Sequence, residues 1–200
     1  MNKINNMRFD GGRLCLDFVN TIHDRFDVPQ RDYLNSIDDL LDWAVKAEII
    51  NVEQRESLKG ENPKDIDYAN RFLNRAIDLR ELLHSIFLAI SLNKSVDSVD
   101  IEIFNKVVSK SFSKLCIEQE QKVFITKWTT GAGELEKILL SITKDAYDLL
   151  LLNLPDRIKE CPKCGWLFFD SSKNGRRKWC SMATCGSQHK ASQWYQRNKH

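Results

Sequence analysis

Four cysteines near the C-terminus place the strongest constraint on how this chain can fold. Cys161 and Cys164 are separated by two residues, and after fifteen more residues Cys180 and Cys185 form a second close pair. Two close pairs on either side of a hairpin-sized gap can present four thiolates to one tetrahedral zinc ion. The alternatives are two disulfide bonds or four unconnected buried thiols. The spacing predicts one structural zinc ion held by these four residues.

The remaining composition predicts a cytoplasmic protein without a membrane span. No apolar run in the 200-residue sequence approaches the length of about 18 residues that a transmembrane helix needs. The first residues lack the apolar region of a secretory signal. Cysteines in such a compartment are expected to be reduced or bound to metal, which agrees with the zinc prediction.

Charge is distributed unevenly along the chain. Residues 157–200 contain ten basic and two acidic residues, a formal charge of +8, whereas residues 1–156 contain 20 basic and 26 acidic residues, a charge of −6. A basic segment on a weakly acidic body is typical of a protein that binds a polyanion. The alternatives are that the segment improves solubility or docks on its own acidic domain. The candidate phosphate-binding residues are Arg176, Arg177, Lys178, Lys190 and Arg197.

Hydrophobic periodicity predicts a mainly α-helical body with one small β-hairpin. Longer helices are predicted over 36–49, 62–92, 97–110 and 134–152, and short ones within 9–25 and over 53–58. Ser36 and Asp97 are suited to cap two of them. Residues 112–118 and 122–128 read as the hairpin, which we expect to pack on the helices because an isolated hairpin is marginally stable.

The C-terminal segment reads as a treble-clef-like zinc finger. Residues 166–169 resemble a strand, Asn174-Gly175 gives a turn signal, residues 177–179 are the expected return strand, and residues 184–197 are the expected final helix. Trp166, Phe168 and Trp179 are predicted to form its small core. The sequence therefore predicts a helical N-terminal domain over 1–154 and a zinc finger over 155–200.

A polar cluster near the N-terminus is a candidate pocket. Two adjacent glycines allow a ligand to approach the backbone closely, and polar side chains follow them off the apolar face of the predicted helix. The same residues can instead serve as caps and surface pairs. The candidate pocket residues are Gly11, Gly12, Arg13, Asp17 and Asn20.

These motifs resemble a known family. The pattern Cys161-x-x-Cys164, Leu167-Phe168-Phe169-Asp170, Arg177-x-Trp179-Cys180-Ser181-Met182 and Cys185-Gly186 resembles the CGNR-type zinc finger. Gly11-Gly12-x-Leu14-x-Leu16-Asp17-Phe18-Val19-Asn20-Thr21 is similar to the opening of the ABATE domain that precedes that finger. The resemblance implies a bacterial, stress-related transcription regulator whose zinc finger binds DNA.

The chain departs from the naming motif of that finger. Cys-Gly-Asn-Arg is here Cys185-Gly186-Ser187-Gln188, so both the Asn and the Arg are replaced. The cysteines of the metal site are all present. The missing Arg removes a phosphate or base contact, or an ion pair within the domain.

The sequence predicts a zinc-containing, DNA-binding transcription regulator with an N-terminal sensor domain. The alternative is a zinc-stabilised module that binds RNA or an acidic protein surface without reading a DNA sequence. We do not expect an enzyme, because the sequence shows no nucleophile–base pair and four thiolates leave zinc no open position. A homodimer is expected, since many such regulators bind two half-sites.

Overall fold

Helices account for most of the chain in this computed structural model, which describes residues 3–61, 66–129 and 133–198. The α-helices in these ranges are α1 (Leu14–Val19), α2 (Ile37–Lys46), α3 (Val52–Glu61), α4 (Ile66–Ser91), α5 (Ser98–Phe112), α6 (Glu134–Leu151) and α7 (Ser187–Arg197). Two antiparallel hairpins pair β1 (Leu115–Glu120) with β2 (Val123–Trp128), and β3 (Ile158–Glu160) with β4 (Leu167–Phe169). The predicted mainly α-helical fold is confirmed.

Local capping sets the start of two helices as the sequence predicts. Ser36 Oγ accepts a hydrogen bond from the Asp39 N–H at 3.2 Å before α2, and Asp97 accepts one from the Val99 N–H at 2.8 Å before α5. Each cap satisfies a backbone donor that the first helical turn leaves unpaired. Asn62 and Pro63, predicted to open the long helix, lie outside the described residues.

The short helix α1 lies at the centre of the main core. All of its residues from Cys15 to Val19 are buried, and it contacts α4, α6 and β4. Phe18 packs on Trp43 of α2 with ring centroids 5.1 Å apart. Burial of each such large side chain contributes roughly 2 kcal/mol, so a six-residue helix with little stability of its own is held by its surroundings.

The N-terminus of α1 is capped by a residue distant in sequence. Arg13, the residue before α1, makes no side-chain cap. Instead Asp145 of α6 accepts a hydrogen bond from the Cys15 N–H at 2.9 Å and forms an ion pair with Arg13 at 2.6 Å. The carboxylate thus satisfies a free N–H and meets the positive end of the helix.

The β1–β2 hairpin forms as predicted but projects from the helices. The expectation that it packs on them is wrong for most of its length, because Ile117 is 72% exposed and Phe124 69% exposed. Only Leu115, Ile125 and Trp128 are partly buried. The strands are linked across one face by Lys127, which forms ion pairs with Glu118 and Glu120.

The second hairpin corrects the predicted pairing within the finger. β4 pairs with β3, which precedes the first cysteine pair, and residues 177–179 form no strand. The physical reason is Asp170, whose buried carboxylate accepts the backbone N–H groups of Ser172 and Arg177 at 3.0 and 2.8 Å. These N–H groups therefore turn inward and the chain curls around the carboxylate.

The two predicted domains share one hydrophobic core. Ile158 of β3 and Leu167 of β4 lie beyond the predicted boundary at residue 154, yet both belong to the cluster that contains α1, α4 and α6. A second, smaller cluster contains the four cysteines with Trp166, Phe168 and Trp179. Within the described parts of the chain, every helix falls short of the length or apolar character needed to cross a bilayer.

Candidate functional site

The four predicted zinc ligands converge on one point. Their Sγ atoms all lie within 4.8 Å of one another, and all four residues are buried. The Sγ atoms of Cys164, Cys180 and Cys185 are separated by 3.6 to 3.7 Å. A tetrahedron of thiolates at the usual zinc–sulfur distance has edges of about 3.8 Å. The cluster thus has the size of a closed zinc site, and the predicted single structural zinc ion is confirmed.

The chemistry of the cluster excludes the disulfide alternative and calls for a cation. All four cysteines are free thiols, at separations far longer than a sulfur–sulfur bond. Four thiolates so close together are stable only around a divalent ion.

Each pair of ligands is positioned by a different local structure. Cys161 and Cys164 lie in the loop of the β3–β4 hairpin, where Gly165 has a φ of +68° and its N–H donates to the Cys161 carbonyl at 2.9 Å. Cys185 lies in a π-helical turn, Met182–Gly186, that leads directly into α7. Zinc coordination therefore fixes the start of α7 against the hairpin.

Asp170 organises the segment between the cysteine pairs. It is fully buried and forms an ion pair with Lys159 at 2.8 Å. Burial alone would raise its pKa, but hydrogen bonds from Lys159, Ser172 and Arg177 hold the pKa of this carboxyl well below its usual value. This role of Asp170 was not predicted from the sequence. The sequence feature that could indicate it is an acid directly after an apolar strand and before a turn that contains Ser-Ser and Asn-Gly.

The five predicted nucleic-acid-binding residues divide into two groups. Arg177 bonds internally: its guanidinium donates to the carbonyls of Trp179 and Cys180 and stacks over Phe168 at 4.7 Å. The other four, Arg176, Lys178, Lys190 and Arg197, are exposed. None of these four forms an ion pair with a described carboxylate, so their charges are available to a partner. Their role in binding nucleic acid stays a prediction.

The helix α7 is exposed along most of its length, and His189 packs on Trp179 with ring centroids 4.7 Å apart. None of its eleven residues is buried, and none is acidic. Trp194 and Tyr195 are 64% and 71% exposed. Lys190, Trp194 and Arg197 are spaced at i, i+4 and i+7, which places them on one face. A basic and aromatic stripe therefore projects from the zinc centre.

The five residues predicted as a pocket lie where the N-terminal loop meets the finger. The Gly11 N–H donates to Asp17 Oδ1 at 2.8 Å, and the Gly11 carbonyl accepts from the Phe169 N–H at 2.8 Å. A Cβ at Gly11 would come within 2.9 Å of the Asp17 backbone nitrogen, and Gly12 has a φ of +71°. Arg13 pairs with Asp145. These groups bond within the protein, and their role toward a ligand stays a prediction.

Asn20 makes the most specific contact between the two parts of the chain. Its side-chain amide donates to the Leu167 carbonyl at 2.8 Å and accepts from the Leu167 N–H at 2.9 Å, all buried. Nearby, the Trp166 indole donates to the Ile22 carbonyl at 2.7 Å, and the Arg25 N–H donates to the Cys164 carbonyl at 3.0 Å. The amide thus replaces a strand partner for the outer edge of β4.

Gln188, which stands where the family motif has Arg, faces the junction. It lines a cavity of about 240 Å³ together with Arg8 and Asp24 of the N-terminal part and Lys163 and Thr184 of the finger. Arg176 and Lys178 lie beside a different cavity, near the end of α4. The substitution therefore alters the surface at the junction and leaves the exposed bases in place.

Removal of a zinc ligand should destabilise the whole protein. We expect Cys180→Ser to lose its zinc and to lower the free energy of unfolding by on the order of 5 kcal/mol, since structural zinc supplies more than this to isolated fingers. Elemental analysis and calorimetry measure both effects. The control Cys116→Ser changes an exposed cysteine outside the cluster and should retain one zinc per chain. Undiminished zinc content in Cys180→Ser would contradict the site.

Burial of Asp17 should make stability depend on pH. Burial, followed by the charges of Asp10 and Asp145, raises its pKa to about 7, although the Gly11 N–H opposes this shift. A raised pKa gives stability that is complete below the unfolded value near 4 and is lost as the pH rises to about 7. We therefore expect Asp17→Asn to be more stable than the parent by roughly 4 kcal/mol at pH 8 and nearly equal at pH 4.

Urea unfolding at a series of pH values measures this difference. Asp156→Asn, a change at an exposed carboxylate, serves as the control and should track the parent at every pH. A constant offset between Asp17→Asn and the parent would show that Asp17 does not titrate in this range.

Comparison with protein families agrees with the geometry. The CGNR zinc finger model matches residues 157–198, and the ABATE model, described as "Putative stress-induced transcription regulator", matches residues 12–151. No curated protein matches the sequence. The ABATE match covers most of the chain and includes α1, Gly12 and Asn20, while the finger match includes all four zinc ligands. The chain therefore belongs to the ABATE family and ends in a CGNR zinc finger.

Proposed function

We propose that this protein is a cytoplasmic, DNA-binding transcription regulator that carries out no catalysis. The observation that supports this most directly is α7, an exposed helix without acidic residues whose start is fixed by zinc. The family description as a transcription regulator points the same way. In this proposal α7 contacts nucleic acid and the helical part serves as the sensor domain.

The charge of the finger surface favours a polyanionic partner. Of the two acids in residues 157–200, Asp170 is fully buried and neutralised by Lys159. Glu160 is partly buried, and burial raises its pKa. The Lys159–Asp170 pair cancels, so the formal charge of +8 stands for the rest of this segment, and counterion release from DNA would drive binding.

The shape of α7 suits the major groove of DNA. An α-helix fits this groove, and Lys190 and Arg197 at opposite ends of one helix face can reach phosphates or base edges. Trp194, between them, offers a flat apolar surface. Exposed aromatic rings also stack on unpaired bases, which is the specific observation that favours RNA as the second candidate.

A homodimer and the absence of catalysis form part of the same proposal. Two copies would place two α7 helices on two half-sites, as in many regulators. Four thiolate ligands complete the coordination of zinc, so no position is open for a reacting water.

Loss of the two bases on α7 should weaken DNA binding without loss of fold. We expect Lys190→Ala with Arg197→Ala to lower affinity for a mixed-sequence duplex about tenfold and to reduce the salt slope by about 2. Fluorescence anisotropy between about 50 and 200 mM salt measures both. The charge-matched control, Lys106→Ala with Lys122→Ala, changes exposed lysines outside the finger and should bind as the parent does.

Two further variants test the stability of the finger and the choice between DNA and RNA. Arg177→Ala should lower the melting temperature, because this guanidinium bonds to the carbonyls of Trp179 and Cys180. Trp194→Ala should leave the affinity for duplex DNA nearly unchanged and should lower the affinity for single-stranded RNA about tenfold if stacking dominates. Affinity that does not change with salt, or equal loss in the control pair, would overturn the proposal. Selection of fragments from genomic DNA then tests whether a sequence is read.

A further inference from the structure

A cavity in the helical part lies between α4, α5 and α6. Its volume is about 560 Å³, within the usual range for small-molecule sites. Its apolar walls come from all three helices: Leu79 and Leu82 from α4, Ile103 and Val107 from α5, and Leu139 and Leu140 from α6. It lies apart from the zinc centre and from α7.

One end of this cavity has an excess of positive charge. Arg75 forms a bidentate ion pair with Glu136, at 2.6 and 3.0 Å. Lys110 and Lys114 line the same end, and neither forms an ion pair with a described carboxylate. Three cations therefore lie around Glu136, and Asp78 lies one turn along α4 from Arg75. Glu136 also lies in the first turn of α6, so the positive end of that helix adds to the field.

The opposite end has the reverse character. Arg75 and Ser85 are ten residues apart on α4, which corresponds to about 15 Å along the helix. At the Ser85 end, the Ser85 hydroxyl donates to Asp100 Oδ2 at 2.6 Å. Glu81 lines the cavity one turn along α4 from Ser85. A ligand with a second anionic group at this end would be repelled by these carboxylates.

Two further residues with hydroxyl groups, Ser111 and Thr143, line this cavity. Ser111 is 5% exposed and lines the cavity, and its hydroxyl makes no hydrogen bond to the rest of the described chain. Thr143, which also lines the cavity, is satisfied by the Leu139 carbonyl at 2.8 Å. The Ser111 hydroxyl is therefore free to donate a hydrogen bond to a ligand in the cavity.

We propose that this cavity binds a small amphipathic monocarboxylate. The carboxylate lies between Lys110, Lys114 and Arg75, where it accepts hydrogen bonds from the lysines and from Ser111. The apolar body lies along the leucine walls toward Ser85. This proposal names the chemical class of the small molecule that the proposed regulator would sense. Only the role of that molecule as a signal rests on the proposed function; binding in the cavity does not.

Direct binding measurements on the full protein without DNA test this proposal. Decanoate, below its micelle concentration, is the probe, with decan-1-ol and decylamine as matched neutral and cationic probes. Isothermal titration calorimetry should show decanoate binding at one site per chain, at least tenfold tighter than either matched probe. Absence of saturable decanoate binding, or equal affinity for decanoate and decylamine, would overturn the proposal.

Two variants assign the two ends of the ligand. Lys110→Gln with Lys114→Gln should lower decanoate affinity about tenfold while decan-1-ol binds as before, since only the charged contact is lost. Val107→Phe should fill the cavity and abolish binding of every probe, with circular dichroism as the check of its fold. Lys106→Gln, on the same helix but ion-paired with Glu102, is the control and should bind as the parent does.

An equal loss of affinity in the Lys106→Gln control would show non-specific charge attraction and contradict the site. Because these measurements contain no DNA, they succeed or fail independently of α7. Decanoate binding without DNA binding would support the carboxylate site in the cavity and contradict the proposed regulator function. DNA binding without decanoate binding would support the regulator function and contradict the proposal that the cavity binds a monocarboxylate.

Discussion

Coordination of one zinc ion by four buried thiolates is the constraint on which the C-terminal part of this protein depends. The small core around it contains three large aromatic side chains besides the cysteines, too few to hold a segment of this length alone. The metal joins the loop of the β3–β4 hairpin to the turn that precedes α7. Because β3 and β4 also complete the main core, the free energy of metal binding stabilises both parts of the chain.

The two parts are linked through backbone groups that have no partner of their own. β4 is a three-residue edge strand, and its outer N–H and C=O groups at Leu167 are satisfied by the buried amide of Asn20. Asp17 and Gly11 hold the adjoining loop in the conformation that meets Phe169. The polar cluster predicted as a pocket thus also supports the junction, and a larger cavity lies among α4, α5 and α6.

Local signals account for the features that the sequence predicted correctly. Ser36 and Asp97 act on backbone N–H groups two or three residues away, so their capping roles can be predicted without the fold. The cysteine spacing is similarly local. The errors share a different cause. The Asn174-Gly175 turn signal suggested a return strand, but the buried carboxylate of Asp170 takes the N–H groups that the strand would need. Arg177 also resembles its exposed neighbours in sequence, and only the tertiary structure shows its contacts with Trp179 and Phe168, while its role in binding nucleic acid stays a prediction.

The sequence by itself determined the zinc ligands, the helical class of the body and the basic character of the C-terminal segment, because spacing, periodicity and charge are properties of neighbouring residues. Only the tertiary structure decided which bases remain free, which acids are neutralised and where a cavity opens. Those outcomes depend on contacts between residues far apart in the chain, such as Asn20 with Leu167 and Arg75 with Glu136. Tertiary packing determines which of these residues come into contact, and the pattern of neighbouring residues does not predict it.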